Sequence, residues 1–221
     1  MTEATERQLH LIHLGAQQQL TDPAVWDDCF SHHFDYVRLG AARARTPELE
    51  PLIRDADVAA FHLGALDHYS APAAPPPPSP SGFTLQEACQ LAYYAGNSDK
   101  LTSYGLFGWD TTQGDERDQE LTAATYAQLA WYFLHGLSRR AGDFPATTQG
   151  MTEYVVDVPN FDRLTFWRSP RSNRWWVQYP AGVFRGEQRH RLLPCSPADY
   201  QRASGQGELP ERLLRGFRRF D

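Results

Sequence analysis

The stretch that most constrains this chain is Arg54-Asp55-Ala56-Asp57-Val58-Ala59-Ala60-Phe61-His62-Leu63-Gly64-Ala65-Leu66-Asp67-His68. Two acids lead into a short run that is apolar or nearly so, and polar groups return at a histidine. Such a run between polar flanks reads as a strand buried on both faces, the kind found inside a parallel sheet. In open α/β sheets the carboxyl end of a strand faces the ligand crevice. His62 to His68 therefore lie where chemistry is expected.

Length and composition set the outer bounds. A chain of 221 residues, 41% of them hydrophobic, can fold as one α/β domain over residues 1–221 with a full core. No apolar stretch approaches the roughly 20 residues of a membrane span. Met1-Thr2-Glu3-Ala4-Thr5-Glu6-Arg7 is too polar for a signal peptide. Cys29, Cys89 and Cys195 are odd in number and far apart, which points to reduced thiols in a cytoplasm; zinc-ligand spacing is absent.

Charge is divided along the chain. Residues 1–162 carry 9 basic and 22 acidic side chains, whereas residues 163–221 carry 12 Arg against 5 acids. An Arg- and Trp-rich tail over 151–221 could bind nucleic acid. The reading preferred here is that two oppositely charged parts pack together with solvated arginines outside. The whole chain is net −6 and shows no nucleic-acid motif, so neither nucleic acid nor membrane is expected as a partner.

In chain order, Leu9-His10-Leu11-Ile12-His13-Leu14 is a first strand, closed by Gly15. Its two histidines stand three apart and so face opposite ways, which argues against a joint metal site. Asp22-Pro23 starts a helix that carries Cys29 and Phe30 and ends near His32-His33. Residues 34–40 give a short strand and turn, and 47–53 a helical stretch. Six prolines over residues 72–80 then force a stiff loop, expected across the carboxyl edge of the sheet. Thr84-Leu85-Gln86-Glu87 is a capping box, with Leu85, Ala88, Cys89 and Ala92 on one face and Gly96 as the stop. Residues 100–110 form the next strand. The helix over 120–138 is apolar almost all round and should be buried against the sheet. Residues 153–158, 164–168 and 174–179 read as antiparallel strands, with a turn at 169–173. Of the adjacent Trp175 and Trp176, one should pack on the core while the other lies outward or under the Arg-rich turn.

Several pieces resemble the arginase, agmatinase and formimidoylglutamase (ureohydrolase) family, most closely its divergent arginase-like branch common in Bacteroidetes. They include Tyr36-Val37-Arg38-Leu39-Gly40, Glu50-Pro51-Leu52-Ile53-Arg54-Asp55-Ala56-Asp57, Gly82-Phe83 with Glu87-Ala88-Cys89-Gln90, and Tyr94-Ala95-Gly96 with Ser98-Asp99-Lys100-Leu101. Thr122-Ala123, Trp131-Tyr132-Phe133, Asp143-Phe144-Pro145, Arg174-Trp175-Trp176 and Leu193-Pro194-Cys195-Ser196 follow in the same order. The resemblance implies a three-layer α/β/α sandwich with a mostly parallel sheet, here incomplete, plus a C-terminal antiparallel β extension. In active members it also implies a manganese pair that activates a bridging hydroxide for attack on an amidine or guanidine carbon.

The resemblance equally marks what is substituted. The family's first metal motifs would lie upstream of the strand at Leu9, and residues 1–8 do not supply them. Its last, a Ser-Phe-Asp-x-Asp pattern, aligns with Ala60-Phe61-His62-Leu63-Gly64, so one carboxylate has become His62 and the other Gly64. A guanidinium-binding Glu aligns with Gly108. On this reading no catalytic or metal residue is assigned, no cofactor is expected, and the chain is a pseudoenzyme serving binding or assembly. It is then a homo-oligomer or a partner of a separate N-terminal chain. The alternative is a manganese-dependent hydrolase of linear amidine or guanidine C–N bonds, completed by a partner or by His62, Asp67 and His68.

Overall fold

The computed structural model describes residues 10–32, 34–144, 147–159, 161–178 and 192–218. Of the positions read above, residues 1–9, 33, 145 and 179 lie outside them. The contacts divide the chain into two compact units, one of residues 13–22 and 36–142, the other of 10–12, 23–35 and the chain from 143 on. The division falls within strands β1 (Ile12–Ala16) and β2 (Asp35–Arg38), which pair with each other. The first strand thus starts later than the apolar pattern suggests, and His10 precedes it. His10 Nε2 instead meets the buried Asp35 carboxylate at 3.0 Å, while His13 stacks on Tyr36 at 5.4 Å.

The first unit is the α/β one. Short helices α2 (Leu39–Ala44) and α3 (Glu50–Arg54) lead into β3 (Val58–His62). This strand pairs in parallel with β4 (Ser103–Phe107), in a register that sets Val58 opposite Ser103 and His62 opposite Phe107. The crossover is α4 (Leu85–Gly96), and α5 (Glu116–Leu137) follows β4. The start of β3 is tied down by the chain's single lysine: Lys100 Nζ lies 3.3 Å from Asp55 Oδ1 and 3.4 Å from Asp57 Oδ2.

Burial of β3 on both faces is not what the structure has. Ala59 and Phe61 are half-buried with Tyr104 and Leu106, and Tyr104 stacks on Phe133 of α5 at 4.5 Å. Residues on the other face are open, with Val58 65% and Phe107 56% exposed. A parallel strand reads as continuously apolar when helices cover both its faces. Here the described helix contact is on one face, and alternate residues meet water.

The capping box of α4 is present, with Glu87 N donating to Thr84 Oγ1 at 3.3 Å and Thr84 N donating to Glu87 Oε2 at 2.8 Å. Gly96 has a different job from the one expected, since the helix runs through it to a right-handed cap at Asn97. A β-carbon on Gly96 would fall 2.0 Å from the Phe133 carbonyl oxygen, and one on Gly136 would fall 2.3 Å from that of Tyr93. The two glycines let the backbones of α4 and α5 touch. Helix α5 starts at Glu116, earlier than expected, because Asp115 and Asp118 form a second capping box ahead of the apolar run. Nor is α5 buried all round. Thr122, Thr125, Leu129 and Gly136 are inside, whereas Leu121, Trp131, Leu134 and Leu137 are exposed.

The second unit carries α1 (Pro23–Ser31) and a four-stranded antiparallel sheet, β5 (Thr152–Val158), β6 (Phe161–Arg168), β7 (Trp175–Gln178) and β8 (Leu192–Cys195), in that order. Helices α6 (Pro197–Gln206) and α7 (Glu211–Arg218) complete it. Its core gathers Leu164, Phe166, Val177, Cys195, Leu213 and Phe217. Trp175 joins them, stacked on Tyr200 at 4.6 Å. An outward placement fails at Trp176, which is also buried although it points to the opposite face.

Candidate functional site

His62 is the last residue of β3 and the cap of a short 3-10 turn over Leu63–Ala65. Its Nδ1 accepts a hydrogen bond from the Gly64 amide at 3.1 Å. A neutral imidazole that accepts at Nδ1 carries its proton on Nε2, so the second ring nitrogen is a donor and not a free lone pair.

Gly108 follows β4, with φ +83°. A β-carbon there would come within 2.6 Å of His62 Cε1 and 2.7 Å of Nε2. One on Gly64 would be 3.0 Å from Nδ1. The imidazole is therefore packed between two glycines, in space that side chains at 64 and 108 would otherwise take. The three positions at which the resemblance puts carboxylates thus converge in space, although position 108 lies far along the sequence from the other two.

Asp67 and His68 do not join His62. The strand ends at His62 and the chain turns, so the alternation that would align His62 with His68 does not reach that far. Asp67 Oδ1 accepts from the Ser70 amide at 2.9 Å, and the exposed His68 ring lies 6.4 Å from that of Tyr69. Asp110 closes its own turn, accepting from the Thr112 hydroxyl at 2.7 Å and amide at 2.9 Å, which holds its carboxyl below the usual range. Among the described residues, no three His, Cys, Asp or Glu side chains are grouped as a metal ion would need.

The proline-rich loop lies across the carboxyl ends of the strands. Beyond β1, Gln17 Nε2 donates to Ser79 Oγ at 2.9 Å. Beyond β3, the His68 amide donates to the Ser79 carbonyl at 2.8 Å, and beyond β4 the Asp110 amide donates to the Ala73 carbonyl at 3.0 Å. From α5, the Thr122 hydroxyl accepts the Ala73 amide at 3.0 Å, and the Thr125 hydroxyl donates to the Ser70 carbonyl. The sequence reading missed both threonines. Their signal was a polar β-branched pair facing inward on an otherwise apolar helix.

The sequence matches no family model and no curated relative. Solved structures do match. Formiminoglutamase from Trypanosoma cruzi superposes with a TM-score of 0.53 at 15% identity, over 58% of this chain and 45% of its own. Formimidoylglutamase from Bacillus subtilis gives 0.52 at 18% identity, over 58% of this chain and 41% of its own. The fold is arginase-like. This chain spans less than half the length of the arginase-like structures it matches. A T. cruzi formiminoglutamase structure contains manganese, and it matches with a TM-score of 0.53 at 15% identity, over 58% of this chain and 43% of its own. At the positions where the resemblance sets the family's carboxylates, His62, Gly64 and Gly108 do not supply the donors that such ions need. Manganese calls for several hard oxygen donors, and the three positions offer one imidazole whose inner nitrogen is already bonded.

Proposed function

We propose that this chain is a ureohydrolase-family protein that does not carry out the family's amidine hydrolysis and serves as a binding or assembly module. The observation that carries this reading is the His62 ring wedged between Gly64 and Gly108. Each substitution removes a carboxylate, and the exposed His62 ring fills the space that side chains at 64 and 108 would take. The third layer of a full sandwich would cover the Val58–Phe107 face of the sheet, which is the face an assembly partner could take. The cytoplasm suits three buried free thiols. Burial pushes Cys89 up to about 11, away from reactivity.

The test is elemental analysis of protein purified from manganese-supplemented cells, then assay of urea, formamide and ammonia release from arginine, agmatine and formimidoylglutamate with added metal. No stoichiometric manganese and no product are expected. His62→Asp combined with Gly64→Asp should not restore turnover, because two carboxylates leave a metal pair short of donors. About two equivalents of manganese, with turnover abolished by His62→Ala, would overturn the reading.

A further inference from the structure

We propose that two copies of this chain associate along α5 as an antiparallel, two-fold pair. A helix that faces water is ordinarily polar on its outer side. The outer side of α5 instead presents Leu121, Ala124, Ala127, Trp131 and Leu134, at the three- and four-residue steps of one stripe. The large members stand well out, with Leu121 45%, Trp131 56% and Leu134 59% exposed. A contiguous apolar stripe of this kind marks an interaction surface.

The charges at the two ends of the helix identify the occupant. Three acids, Glu116, Asp118 and Glu120, outnumber Arg117 at its start, while His135 lies in its last turn and the exposed Arg139 just beyond. A parallel neighbour of the same sequence would set acid against acid and align the two helix dipoles. An antiparallel copy sets acid against base and opposes the dipoles.

The sequence also fixes a register. With the two-fold axis between Ala127 and Gln128, Leu121 of one copy comes level with Leu134 of the other. Ala124 comes level with Trp131, so that small residues make room for the indole. Glu120 then meets His135, and Glu116 meets Arg139. An isologous interface requires this reciprocity, in which each contact occurs twice. A seam of one helix is small, so the association should be weak and concentration-dependent.

This inference deepens the assembly half of the proposed function. It is read by a different measurement from the metal and product assays, so either can fail alone. Sedimentation velocity of the full chain from about 1 to about 100 μM should show a monomer–dimer equilibrium. Trp131→Glu should weaken it at least ~10-fold. Glu116→Arg should weaken it too, and adding Arg139→Glu should restore it. Because the three native cysteines are buried, Ala127→Cys at the axis should cross-link to itself on mild oxidation, which reads the seam without disturbing it. A chain that stays monomeric throughout would overturn the proposal. So would a dimer indifferent to Trp131→Glu, a charge swap that fails to rescue, or an Ala127→Cys chain that does not cross-link.

Discussion

The imidazole of His62 occupies the space that a side chain at Gly108 would need, with Cε1 2.6 Å from where a β-carbon would lie. Two residues, one ending β3 and the other just past β4, are thus bound to each other's identity. The histidine can lie there because position 108 has no side chain. The glycine is held both by that contact and by its φ of +83°.

This relationship is measurable as a coupling. Gly108→Ala adds a collision and a strained backbone, and should cost about 1–3 kcal/mol in urea unfolding. His62→Ala removes the collision and leaves the strain. The double variant should therefore be more stable than the sum of the singles predicts, by about 0.5–3 kcal/mol. Strict additivity would mean that the ring does not pack on Gly108.

Trp175 and Trp176 give a second test. They are 7% and 2% exposed on opposite faces of β7, so both indoles are enclosed. Each substitution by Ala should destabilise the chain by about 3–5 kcal/mol. Near-native stability for either variant would return that residue to the surface.

What the sequence made legible was local. The Thr84–Glu87 box, the early proline of α1, the turn before Arg174 and the two separate strand stretches of β3 and β4 are readable because neighbouring residues cause them. What it hid was which surfaces are covered. Val58 and Trp131 belong to apolar runs that look buried, and nothing within those runs says that one face goes without a neighbour. The capping box at Ser196 and Asp199, with Pro197 at the first helical position, was present but unread, so α6 was missed. At the candidate site, resemblance marked positions 62, 64 and 108 one by one. Their convergence depends on the pairing of β3 with β4, which no local pattern reveals.

Histidine 13 supplies a pH dependence. Burial beside Tyr36 lowers its pKa from the ordinary 6.5, so the folded chain holds this proton less tightly than the unfolded one. A group depressed in this way contributes its full stability above pH 6.5 and loses it as pH falls through and below that value. The urea midpoint should therefore drop between about pH 7 and about pH 5, and His13→Gln should flatten that slope. Identical slopes in the two proteins would show that His13 does not carry it.

The proline-rich loop gives the last prediction. Ala73 and Thr122 are both 0% exposed, and the Thr122 hydroxyl is the acceptor for the Ala73 amide. An amide enclosed there without a partner costs its full desolvation, about 1–3 kcal/mol. Thr122→Val keeps the shape and removes the acceptor, so it should destabilise by that amount. Thr122→Ser keeps the hydroxyl and should cost less. The effect should be concentrated in the loop, because Ala73 also receives the Asp110 amide at 3.0 Å and so links α5 to the end of β4. Hydrogen exchange at the Ala73 amide should accelerate by roughly 10- to 100-fold in Thr122→Val, with α4 little changed. Exchange that stays as slow as in the wild type would mean that the prolines, and not the threonine, hold the loop over the strand ends.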